Sequence, residues 1–118
     1  MKKSILNAPH YTWGDQAMCD GWHLCKTETL SVIQELMPPG AKERLHVHQK
    51  CQQLFYILSG IATFIVDESM YKIQTGESIH ILPGQKHCVM NEGEADLAFL
   101  VISEPPSHGD RINLEHIE

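Results

Sequence analysis

Long apolar runs are missing from this chain, and so is any cluster of basic residues. The longest hydrophobic stretches fall far short of the roughly 20 residues that a membrane-spanning helix needs. Lysine and arginine number 9 against 15 acidic residues, for a formal net charge of −6. Without a basic stripe or patch, a nucleic-acid surface is not expected. The opening Met1-Lys2-Lys3-Ser4-Ile5-Leu6 has two lysines but no apolar stretch behind them, because Asn7, Pro9 and His10 interrupt it. It does not read as a secretory signal. Cysteine occurs only as Cys19, Cys25, Cys51 and Cys88, and no two make a Cys-x-x-Cys pair. That excludes a zinc ribbon and a thioredoxin-type motif. Reduced thiols and a cytoplasmic location are the matching expectation. Cys51 and Cys88 are expected to pack as small apolar residues rather than to react. Repeats, low-complexity tracts and linkers are lacking too. A chain of 118 residues fits one domain, 1–118, burying roughly two-thirds of the surface it exposes when unfolded.

Helical periods bounded by caps are also scarce. A short helix has room only in the first 20 residues or after Asp110. What the chain has instead is short β-rich segments separated by turn residues. Leu30 to Met37 stops at Pro38-Pro39-Gly40, and Arg44 to His48 follows. Gln53 to Leu58 ends at Ser59-Gly60, and Ile61 to Val66 ends at Asp67-Glu68-Ser69. Met70 to Gln74, Ser78 to Leu82, His87 to Met90 and Asp96 to Ser103 each end on Gly, Pro or Asn signals. This spacing predicts an all-β sandwich or barrel, with its core roughly over 22–103. Ile61 to Val66 is apolar at nearly every position, so both its faces should be covered. Its outer face would then pack on a second sheet or on a partner chain, which points to a homodimer. Tyr11, Trp13 and Trp22 would cover one end of the barrel or join that contact.

Alternate residues of a strand share a face. His46 and His48 can therefore aim two imidazoles at one point, and a distant strand must bring in His87. In full, the first half reads Gly40-x5-His46-x-His48-x4-Gln53-x6-Gly60. The second reads Gly76-x5-Leu82-Pro83-Gly84-x2-His87-x3-Asn91. The pair resembles the two motifs of the cupin superfamily. Gln53 stands where that family usually has glutamate, and Leu82 where it usually has the first proline. The resemblance implies a small jelly-roll β-barrel, the double-stranded β-helix, with one divalent metal ion inside. It also implies His46, His48, Gln53 and His87 as the ligands. Gly40, Gly60, Gly76 and Gly84 would serve turns, and Asn91 would tie a turn through its side-chain amide.

Glutamine offers a carbonyl oxygen without charge. Three neutral imidazoles and an amide leave a divalent ion its full positive charge. Such a site suits anionic or enolisable oxygen ligands. Zn, Fe, Mn or Ni would fit, and the donor set does not choose among them. Phe55, His80 and Arg111 are candidate substrate contacts. Arg111 would hold a carboxylate or phosphate from a loop at the barrel mouth, or else make an ordinary salt bridge near Asp110. His23 and His80 lie in strand-like segments that either reach the cavity or face elsewhere. His10, His108 and His116 are expected at the surface. The resemblance allows a dioxygenase or an isomerase or lyase acting on a small oxygen-rich substrate. It also allows a non-catalytic sugar or small-acid binding module, or a dimer with a vestigial site.

Overall fold

The computed structural model describes residues 1–114, so His116 lies outside the described residues. Eleven strands occur in the order β1 (His10–Trp13), β2 (Cys19–Lys26), β3 (Ser31–Met37), β4 (His46–His48), β5 (Gln52–Ser59), β6 (Ile61–Val66), β7 (Ser69–Gln74), β8 (Ser78–Ile81), β9 (His87–Met90), β10 (Leu97–Glu104) and β11 (Arg111–Asn113). They build two antiparallel sheets. One has the order β1-β2-β3-β10-β5-β8 and the other β11-β4-β9-β6-β7. The fold is the expected all-β jelly roll, and since no ladder joins the sheet edges among the described residues, its two sheets form a sandwich. Among the described residues no helix is long and apolar enough to cross a membrane.

Most strand boundaries agree with the turn signals, but three strands lie where the pattern gave no assignment. β2 reads Cys-Asp-Gly-Trp-His-Leu-Cys-Lys, and its glycine and charged residues blur any alternation. β1 and β11 run only four and three residues. The helix allowed in the first 20 residues is a single 3-10 turn, Asp15–Ala17. Among the described residues after Asp110, the chain forms the short strand β11.

Alternation sorts the side chains. Along β10, Leu97, Phe99, Val101 and Ser103 turn inward, and along β5, Gln53, Phe55 and Ile57 do the same. Phe55 packs on Phe64 and Phe99, with ring centroids 4.9 and 5.7 Å apart. Phe64, Phe99, Met37, Ile57 and Leu97 are fully buried, and each such side chain contributes about 1.5–3 kcal/mol. The inner face is therefore apolar over most of its length and turns polar at Gln53, Ser103, His48 and His87. On β6, Ala62, Phe64 and Val66 fill the interior, but Ile61 on the outer side is 46% exposed. The expectation that both faces of this strand are covered holds only in part.

Two turn devices fix the frame. Gly60 has φ +84°, and a Cβ there would lie 2.6 Å from the Asp96 carbonyl oxygen. Asn91, buried, donates from Nδ2 to the carbonyls of Met37 and Ala95, both at 2.9 Å, and its Oδ1 accepts from the Gly93 amide. It ties a turn, as expected. Cys88 points away from the face that carries His87, and all four cysteines are free thiols.

Candidate metal centre

His46 and His48 stand two residues apart on β4, so both point inward, and His46 is in register with His87 of β9. All three are buried, and one nitrogen from each can be chosen so that all lie within 4.8 Å of one another. Burial is the largest influence on each. It pushes His46, His48 and His87 down to about 4, so all three are neutral at pH 7 with lone pairs to offer. The Arg111 charge adds to this at His46, and neighbouring imidazoles add to it at His48 and His87.

Hydrogen bonds behind the rings set their orientation. His46 Nδ1 donates to the Arg44 carbonyl at 2.9 Å, and His87 Nδ1 donates to the Gln85 carbonyl at 3.0 Å. Those bonds place the proton on Nδ1 and leave Nε2 as the free donor atom for a metal. His48 Nδ1 is buried and has no partner among the described groups.

Gln53 faces the trio from the opposite sheet. Its Nε2 donates to Ser103 Oγ at 3.0 Å, which turns Oε1 toward His87 Nε2 at 3.2 Å. With the His87 proton held on Nδ1, these are two acceptors facing each other without a hydrogen between them. A second proton on His87 is disfavoured by burial. A cation accepting from both resolves the conflict, so the residues present fit a divalent ion with imidazole and amide donors.

The substrate contacts expected from sequence fare unevenly. Phe55 is a buried wall residue, 6.3 Å from His87 between ring centroids. His80 does not reach the site. Ile79 and Ile81 take the inward positions of β8, and His80 between them is exposed, 2.8 Å from Gln52 Oε1. Arg111 lies in strand β11 opposite His48 rather than in a loop. Its Nη1 pairs with Glu43 Oε2 at 3.3 Å and its Nε donates to Asn113 Oδ1 at 2.8 Å. The salt bridge therefore runs to Glu43, not Asp110. Asp110 instead accepts from the amides of Gln49, Lys50 and Cys51 at 2.9–3.2 Å.

Several site residues carry no motif. Glu43 sits in the stretch before β4, with Oε1 3.8 Å from His46 Nδ1. Glu35 projects from β3 in register with the buried Phe99, and Tyr11 donates to its Oε2 at 2.6 Å. His23 faces inward in register with Ile33, with its ring 5.0 Å from that of Tyr11. An acidic residue flanked at two-residue spacing by Ile33 and Met37 was the available signal for Glu35. It was masked because Val32 and Leu36 give the other face of β3 the same apolar pattern.

The cupin-domain family model matches residues 33–103. An uncharacterised protein of Methanocaldococcus jannaschii is 34% identical over 86 residues, covering 72% of this chain and 69% of that one. An oxalate-binding protein of Thermotoga maritima is 32% identical over 66 residues, and the match spans 56% of this chain and 54% of that protein. A crystal structure of a predicted oxalate decarboxylase from Thermotoga maritima superposes with TM-score 0.80 at 21% identity, covering 90% of this chain and all of the other. The double motif, the two-sheet jelly roll and the family match over residues 33–103 agree, and the chain belongs to the cupin family.

Proposed function

We propose that this chain binds one divalent metal ion and acts as a metal-dependent enzyme on a small anionic, oxygen-rich substrate of the carboxylate class. The observation that carries this reading is the trio of buried, neutral imidazoles with ligand atoms within 4.8 Å. His46, His48 and His87 would hold the ion and Gln53 would supply a fourth, uncharged donor. When bound, the ion supplies an undiminished positive charge that draws anionic oxygens and polarises a carbonyl. The protein's part is to keep the imidazoles neutral, to orient them through the Arg44 and Gln85 carbonyls, and to line the cavity with groups that handle protons. An enzyme rather than a passive receptor is supported by those groups. Tyr11, His23 and Glu35 cluster on the inner face of the six-stranded sheet, and none of them is among the candidate metal ligands.

A non-catalytic binding module for a small dicarboxylate is the second reading, favoured by the similarity to an oxalate-binding protein. Titration of metal-loaded protein with oxalate by calorimetry, followed by product analysis on a small-acid panel with oxygen uptake monitored, separates the two. Binding with turnover of any panel member supports the enzyme. Binding without turnover supports the module, and absence of both contradicts each. The homodimer belongs to the same proposal. Tyr56 and Leu58 stand exposed on the outer face of the six-stranded sheet, and sedimentation analysis would find one dimeric species.

A further inference from the structure

Beyond the candidate metal ligands, the inner face of the six-stranded sheet carries a second polar cluster, on β1, β2 and β3. Glu35 is planted there between Gly21 on one neighbouring strand and Phe99 on the other. Protein crowds its carboxyl while the residue as a whole is half-buried. Tyr11 reaches it at 2.6 Å only because Gly21 has no side chain, since a Cβ at Gly21 would overlap the phenol ring. The groups that face Glu35 are Tyr11 from β1, Cys19 and His23 from β2, Glu43 from the stretch before β4, and Arg111 from β11. Among the described residues, the one cation near it, Arg111, is engaged by Glu43. Glu35 therefore lacks a counter-ion, and a glutamine or an apolar residue would fill its place at lower cost.

We propose that Glu35, positioned by Tyr11, is the proton carrier of this site and exchanges a proton with a carbon of a small enolisable carboxylate. The proposal rests on the enzyme reading above and names its acid–base group. When Glu35 donates, the carboxyl O–H breaks and the proton goes to the carbanionic carbon, whose electron pair forms the new C–H bond. Glu35 is left as a carboxylate, and the Tyr11 hydroxyl stabilises it by donating to it. Water resupplies the proton, and abstraction runs the same steps backward. The environment suits this task. Burial pushes the Glu35 carboxyl up to about 8, against the lowering effect of the Tyr11 hydrogen bond, so both forms are populated near neutral pH.

The test is the exchange of pyruvate methyl protons in deuterated water, followed by NMR with zinc-loaded protein, together with infrared spectra of the protein alone. Wild-type protein should accelerate exchange over zinc alone, with a rate that rises with pH as Glu35 ionises. Glu35→Gln, whose amide oxygen still accepts from Tyr11, should keep its fold and zinc content and lose at least about 100-fold in rate. Tyr11→Phe should move the rise to higher pH, because the bond it removes favours the ionised carboxylate. The infrared spectrum at pH 7 should show a protonated-carboxyl band that Glu35→Gln abolishes. A Glu35→Gln variant exchanging at the wild-type rate overturns the proposal and leaves the enzyme reading standing. So does a wild-type spectrum without the band. Wild-type protein with no exchange above zinc alone overturns the proton carrier, and absence of turnover across the small-acid panel overturns the enzyme reading as well. Should Glu35→Gln not fold, the Tyr11→Phe profile decides, and an unshifted profile overturns the proposal.

Discussion

Gln53 is the residue that sets this site apart, and its amide is aimed by a specific partner. Ser103 takes the amide hydrogen, which leaves the carbonyl oxygen for the metal side. Replacing it by glutamate adds a negative charge among three neutral imidazoles. Gln53→Glu is therefore expected to hold metal more tightly, by about 10-fold, and to bind oxalate correspondingly more weakly. Calorimetry with metal and then with oxalate checks this, and unchanged values for both would contradict the charge argument. The same burial makes stability pH-dependent. In metal-free protein the three histidines stay neutral down to about 4, whereas unfolded histidine protonates near 6.5. Between those values the unfolded chain binds more protons, so stability falls as pH drops from about 6.5 to 4. Glu35 acts in the opposite direction. Its folded carboxyl is raised to about 8 from 4.5, so its contribution is lost as pH climbs through that window. Denaturant titrations at several pH values should show wild type losing stability relative to Glu35→Gln as pH rises from about 5 to 8. A pH-independent difference would mean that Glu35 titrates normally. The three candidate histidines and Gln53 were legible because the strand period lets His46 and His48 share a face and the resemblance to the cupin motifs implies the rest of the set. Tyr11 and Glu35 were not, because their pairing depends on β1 and β2 aligning across a glycine.

At the scale of elements, the short tail matters more than its composition suggests. β11 pairs with β4, and Asp110 just before it gathers three amides of the turn that joins His48 to Gln53. That turn sets the distance between ligands on opposite sheets. Asp110→Ala is expected to cost about 1 kcal/mol of stability and to weaken metal binding several-fold, because the two ligand strands lose their common clamp. Thermal unfolding with and without metal measures both, and an unaltered metal affinity would remove the clamp from the account. From sequence, the stretch around Arg111 read as a loop at the barrel mouth, with Arg111 either holding a ligand or making an ordinary salt bridge near Asp110. The three-residue strand was invisible because it exists only through its pairing with β4, a long-range contact that local pattern does not encode. The long inner strands β5, β6 and β10 were legible for the opposite reason, since alternation and turn residues bracket them locally.

For the whole molecule, the two sheets do one job with two ends of a single inner face. Phenylalanines and aliphatics fill most of it, and the polar end holds the histidines against Gln53 and Ser103. The double motif, through its resemblance to the cupin motifs, implied a jelly roll. It could not tell that the sheets stay unjoined at their edges, because closure depends on which edge strands meet. The central claim is that the trio of histidines holds a divalent ion. The most direct test is elemental analysis of protein purified without chelators or added metal, beside a His46→Ala variant, with thermal unfolding of both. The account predicts close to one metal ion per chain in wild type, little in the variant, and a lower unfolding temperature when the ion is lost or chelated. Wild-type protein with no metal above background, and a variant of unchanged stability, would contradict it.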